Sequence, residues 1–203
     1  METVRPNRSV IAVGNGESRS TVDLNKLPNI VGCNALHRDL AVEHLICVDQ
    51  RCVREALASP NCANTTIYTR PDWIHYFNDP RVKLVPALPY VGNERQDDPF
   101  QWGSGGYAVI LAAMLSDNVG LLGFDLWSKD SKVNNVYKGT QNYVAADKHS
   151  VDPSYWIYQI AKVFEHFPDK YFTVYNLEGW QMPQSWIRPN VSFEPLDKLH
   201  TTM

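Results

Sequence analysis

Short apolar runs rich in β-branched residues recur at 9–13, 30–33, 44–48, 66–69, 82–85, 119–123 and 171–175, each followed by a turn or a stretch of helix length. Spaced in this way they fit βαβ units around a mostly parallel sheet, because parallel neighbours need a crossover between them. Two of the intervening stretches read as helices. The stretch 107–115 is almost continuously apolar, which predicts a helix buried against the sheet. The stretch 153–167 carries apolar residues at helical spacing, with Pro153 in the first turn. At 203 residues the chain fits a single domain over 1–203. A domain of that length buries roughly 70% of the surface its unfolded chain exposes, so it folds without staples.

The expected fold is therefore α/β, with helices on both faces of a mostly parallel sheet. Hydrophobic residues make up 44% and charged residues 20%, ordinary globular values, and no apolar run reaches membrane-spanning length. Residues 1–9 are polar, with Arg5 and Arg8, and lead straight into the first strand without a secretory apolar region. A cytoplasmic protein, assembled as a homo-oligomer, is the expectation. Cys33, Cys47, Cys52 and Cys62 form no C-x-x-C pair, so neither a zinc ribbon nor a redox motif is present. A net charge of −3 gives no sequence-wide pull toward nucleic acid.

Between the sixth strand and the second helix, 126–150 is polar, lacks periodicity and is too long for a routine connection. Loops of that length are commonly lids or binding loops. Trp127, Tyr137 and Tyr143 favour a folded lid inserted over the sheet edge. Lys129, Lys132, Lys138 and Lys148 give it a local positive excess, most of it read as solvated surface. The proline-rich stretch 179–203, with Trp180 and Trp186, is expected to wrap back over the domain.

Gly14-Asn15-Gly16-Glu17-Ser18-Arg19 follows the first strand directly, where a Rossmann-like fold places the turn whose backbone approaches a phosphate or ribose. The alternative is that the glycines only close a tight turn. Asn34 stands at the end of the second strand, where a dinucleotide site would carry an acidic residue for the ribose. An amide there argues against NAD, although it can read a base edge or a sugar hydroxyl. Gly103-Ser104-Gly105-Gly106 opens the apolar helix, and small residues at a helix N-terminus expose free N–H groups to an anion. Ser104 could equally be an ordinary N-cap. Gly123-Phe124-Asp125 ends the sixth strand in a carboxylate at the edge where doubly wound sheets bind ligands. His149 lies where the lid rejoins the scaffold, and an imidazole facing a cleft would be a natural general base. No D-x-D, H-E-x-x-H or other metal-ligand spacing occurs, so neither a metal nor a resident cofactor is implied.

Taken in order, Val10-Ile11-Ala12-Val13-Gly14-Asn15-Gly16, Cys33-Asn34, Ser104-Gly105, Gly123-Phe124-Asp125 and His149-Ser150 resemble the bacterial sialyltransferases of glycosyltransferase family 42. The resemblance implies a Rossmann-like fold and a metal-independent transfer of a sugar from a cytidine-monophosphate donor to an acceptor hydroxyl. It puts Gly14, Asn15, Gly16, Ser18 and Asn34 on the nucleotide, Ser104 and Gly105 near the phosphate or the sugar carboxylate, and Gly123 and Asp125 beside the cytidine. Tyr137 would donate to the leaving phosphate, and His149 would be the base. Trp127 stands where the family has a second clamp tyrosine, and Gln101-Trp102-Gly103 where it has an arginine before its Ser-Gly loop. The runs around Asn134–Tyr137, Tyr155–Gln159 and Gly179–Trp180 also resemble proteins of tailed bacteriophages, a likeness that names no function. The expected activity is thus a nucleotide-sugar-dependent glycosyltransferase. The alternative is a protein that binds a nucleotide or nucleotide sugar without turnover.

Overall fold

The computed structural model describes residues 9–128 and 130–199. It is an α/β fold of Rossmann type: one eight-stranded sheet in the order β5-β4-β3-β2-β1-β6-β7-β8, with every neighbouring pair parallel. In chain order the strands are β1 (Val10–Val13), β2 (Ile30–Cys33), β3 (His44–Ile46), β4 (Thr66–Thr69), β5 (Val82–Leu84), β6 (Asn118–Leu122), β7 (Tyr171–Asn176) and β8 (Val191–Pro195). The chain winds outward from β1 to β5, then returns to the other side of β1 with β6 and winds outward again. The order therefore reverses between β1 and β6, which is the topological switch point of the sheet. Register pairs Val13 with Leu122, so Gly14 and Gly123 leave the carboxyl edge side by side.

Successive strand residues face opposite sides, and each side has its own core. On one side Val10, Ala12, Val31, Leu121 and Val174 pack under α3 (Ser104–Leu115) and α4 (Ser154–His166). Helix α3 is buried on every face from Gly106 to Ala113, because it lies between the sheet and α4. This explains its lack of a polar stripe. Trp102 and Trp186 complete that core. On the other side Ile11, Val13, Leu45 and Ile67 meet α1 (Gln50–Ala58) and several single-turn 3-10 segments. Helix α2 (Pro71–Ile74) is one turn beside β5. No helix among the described residues is long and apolar enough to cross a membrane.

The sequence reading does not anticipate α1, the single-turn α2 or β8. Residues 179–199 do not simply wrap the domain, for they contribute β8, registered against β7 from Phe172↔Val191 to Asn176↔Pro195. As an edge strand β8 is only partly buried and tolerates the terminal Pro195, so its sequence resembles a loop. Helix α1 is amphipathic, with Cys52, Val53 and Ala56 on its buried face and arginines outward, but it is short and carries only these three buried residues, too few to stand out as an apolar run.

Candidate functional site

At the switch point the carboxyl ends of β1, β2, β3 and β6 and the first turn of α3 enclose a cavity of about 270 Å³. Small-ligand sites usually start near 300 Å³, so this space suits a compact ligand or one end of a longer one. Gly14, Asn15 and Gly16 line it from β1, Asn34 from β2, Ser104 and Gly105 from α3, and Gly123 and Asp125 from β6. Residues separated by more than a hundred positions are brought to one place by the strand order alone.

The two glycines of the first loop serve close contact between loops. The N–H groups of Gly14 and Gly16 donate to Leu122 O and Gly123 O, both at 2.8 Å. A Cβ on Gly14 would lie 2.5 Å from Gly123 O, and one on Gly16 would lie 2.4 Å from the Asp125 Cγ. These amides are committed to the sheet edge. The side chain between them is less settled. Asn15 Nδ2 donates to the Tyr143 hydroxyl at 3.3 Å, while its Oδ1 is buried without a hydrogen-bond partner. A buried acceptor of that kind costs stability unless something donates to it.

Asp125 knits the site together. Its Oδ2 accepts from the Ser18 N–H at 2.8 Å, its Oδ1 accepts from the Ser18 hydroxyl at 2.5 Å, and Asn176 Nδ2 lies 3.5 Å from Oδ1. Its carbonyl accepts from Trp180 Nε1 and from the Trp127 N–H. The carboxylate thus fastens the turn at Glu17–Thr21 to the end of β6.

Ser104 joins three elements in the same way. Its hydroxyl donates to Asn34 Oδ1 at 2.8 Å and accepts from the Val48 N–H at 3.2 Å. The side chain does not cap its own helix, whose N-cap is Gly103. The first-turn amides of Ser104, Gly105 and Gly106 have no backbone partner among the described residues, and the three residues line the cavity. Asn34 holds a left-handed backbone, φ +48°, and its Nδ2 has no partner among the described residues. Leu126 at the rim is also left-handed, φ +69°, a conformation that costs a β-carbon residue about 1 kcal/mol. Strain of this kind gathers at ligand sites more than elsewhere.

The other expected site residues lie outside the lining. Tyr137 is 6% exposed, donates to Asp39 Oδ2 at 2.6 Å and accepts from Arg19 Nη2 at 2.7 Å. Burial pushes its phenol far above the ordinary range, so it remains a hydroxyl. Arg19 and Asp39 close the triad at 3.0 Å. Trp127 stacks on Trp180 with ring centroids 5.8 Å apart and planes 13° from parallel, on the outer side of the Asp125 loop. His149 is exposed and forms a short antiparallel neck with Lys132. Lys138 pairs with Glu17, and Lys129 lies outside the described residues.

The lid itself is folded and anchored. Arg38 holds Thr140 Oγ1 and the Gln141 carbonyl, and Asn142 donates to Glu55 Oε2 at 2.7 Å. Near its start, Asn134 and Asn135 help to wall the cavity.

Asp49, Phe124 and Trp156 are among the lining residues that the sequence reading gave no role. Asp49 follows β3 at the same sheet edge as Asp125, so the argument applied to one carboxylate reaches the other. Phe124 stood between two residues that were named. Trp156, 40% exposed on the first turn of α4, gave no local signal. Its Nε1 would lie 3.3 Å from a Cβ on Gly103, which brings an aromatic face to the cavity mouth. Among the described residues no group of three His, Cys, Asp or Glu side chains is arranged to hold a metal ion. Comparison of the chain with family models, with curated proteins and with solved structures gave no match.

Proposed function

We propose that the chain binds a nucleotide or nucleotide sugar in the switch-point cavity, with a phosphate against the first turn of α3 and the nucleoside toward Asn15 and Asn34. The observation that carries this reading is the convergence of unpaired donors and acceptors there: the α3 amides, Asn34 Nδ2 and the buried Asn15 Oδ1. No lysine or arginine lines the cavity, and Asp49 and Asp125 are part of it. The positive end of α3, roughly half an elementary charge, suits a singly charged phosphodiester better than a di- or triphosphate. A thermal-shift panel of nucleotides and nucleotide sugars tests the reading. At one hundred times its dissociation constant a ligand adds about 2.7 kcal/mol of stability. A cytidine-monophosphate compound should register this shift with or without a chelator, and a panel without any shift refutes the proposal. Asn34→Ala should weaken the binding by about 1–3 kcal/mol, roughly 5- to 150-fold, and an unchanged affinity removes Asn34 from the site.

Transfer of the sugar to an acceptor hydroxyl is the second reading. It is favoured by the lid, since the segment that supplies Asn134 and Asn135 to the cavity also carries Tyr137 and His149. In this reading the neck at Lys132 and His149 shifts when an acceptor binds, and His149 takes the hydroxyl proton. His149→Ala should then lower turnover by roughly 100- to 10,000-fold with nucleotide affinity intact. Full transferase activity in the variant rejects that role. A wild-type protein that keeps its nucleotide sugar intact with every acceptor leaves binding alone.

A further inference from the structure

Behind the lid, away from the switch-point cavity, one face of α1 forms a second wall. Arg51, Arg54 and Glu55 stand at helical spacing on it and border an open groove of about 550 Å³, with His37 at its base and Gln141 and Asn142 of the lid tip opposite. The charges there do not cancel. Glu55 is committed to Arg38 Nε at 2.5 Å and to Asn142 Nδ2 at 2.7 Å. Arg51 and Arg54 are exposed, and neither has an ion pair among the described residues. The Arg54 guanidinium lies 5.5 Å over the Phe77 ring, a contact that leaves its N–H edge free. Two like charges three residues apart on a short helix repel one another, and the nearby Glu55 is already engaged by Arg38 and Asn142.

The independent observation is His37. It is 3% exposed, it borders the groove, and neither ring nitrogen has a hydrogen-bond partner among the described residues. Its Nε2 stands 3.7 Å from Glu55 Oε1, beyond hydrogen-bond reach. Burial lowers its pKa, so near neutrality it is a neutral ring with one N–H to give.

We propose that this groove is an oxyanion site for a phosphate group, held between the Arg51 and Arg54 guanidinia with His37 as the inner donor. Guanidinium groups are suited to phosphate because their fixed fork of N–H groups matches two oxygens at once. Gln141 and Asn142 form part of the wall, so a bound phosphate also braces the segment that supplies Asn134 and Asn135 to the first cavity. The proposal stands apart from the nucleotide reading and survives if that reading fails.

The test is titration of the whole chain with inorganic phosphate and with a hexose phosphate, at constant ionic strength set by chloride, followed by calorimetry and amide NMR shifts. Saturable binding is expected, with shifts in 51–58 and 141–142, and it should weaken at least about tenfold in the Arg51→Gln/Arg54→Gln double variant. That variant should melt within about 2 °C of wild type without phosphate, since both side chains are exposed and a like-charge pair on a helix is worth only a few tenths of a kcal/mol. Tighter binding of the hexose phosphate identifies a phosphorylated small molecule as the ligand, and tighter binding of inorganic phosphate identifies the free ion. Equal binding by wild type and double variant, shifts confined to 104–106, or no saturation beyond the chloride control overturns the proposal.

Discussion

Gly16→Ala is expected to destabilise the protein by about 3 kcal/mol, among the larger effects of adding a single methyl group. The new Cβ would stand 2.4 Å from Asp125 Cγ, 2.5 Å from Asp125 Oδ1 and 2.7 Å from Gly123 O. None of these neighbours is the loose end of a flexible chain. The carboxylate is held by Ser18, and the carbonyl accepts from the Gly16 N–H itself. For a chain of this length the loss corresponds to a melting point lower by about 6–12 °C. Gly103→Ala is the internal comparison. Its Cβ would approach only the partly exposed Trp156, at 3.3 Å, and a small effect is expected. Equal losses for the two variants in urea denaturation would show that contact at the β1–β6 edge is not what requires Gly16.

Asp125→Ala should cost about 3–5 kcal/mol, for the opposite reason. It removes the acceptor for two Ser18 donors and for Asn176 Nδ2, in a place where Ser18 is 4% exposed and Asn176 is 2% exposed. Donors left unpaired at that depth carry their full desolvation penalty. The two substitutions should also couple, because the group that clashes with a Cβ at residue 16 is the one that Asp125→Ala deletes. In a double-mutant cycle the combined loss should fall short of the sum by about 1 kcal/mol or more. Strict additivity would mean that Gly123 O alone forbids the larger residue.

These contacts show where sequence was informative. Seven of the strands and the two long helices announce themselves through apolar content, and the turn after β1 through its glycines. The first-turn glycines of α3, the amides Asn15 and Asn34 and the carboxylate Asp125 could be placed at strand ends or a helix start from the strand and helix assignments, before any strand order or distance was known. Partnerships could not be placed. That Asp125 serves Ser18, that Ser104 spans Asn34 and Val48, and that Tyr137 is enclosed by Arg19 and Asp39 all depend on long-range packing, which leaves no local periodicity. The role given to Tyr137 came from resemblance, and that of His149 from its place at the end of the lid together with the resemblance, neither of which carries information about packing. Of the elements not anticipated, α1 is short with three buried residues, α2 is a single turn and β8 is a partly buried edge strand, so none presents a long apolar run.

The strand order also sets the timing of assembly. β1 can pair with β2 almost as soon as both exist, but its other neighbour is β6, so Ile11 waits for Gly120 to emerge before its second side is satisfied. During synthesis the nascent chain can build the wing from β1 to β5 first, with a bare hydrogen-bonding edge along 10–13 that invites mispairing. The pocket lies on that late seam. A ligand that bound there would recognise only chains that have completed the closure and would slow its reversal, lengthening the life of the finished molecule without hastening the slow, nonlocal step that produces it.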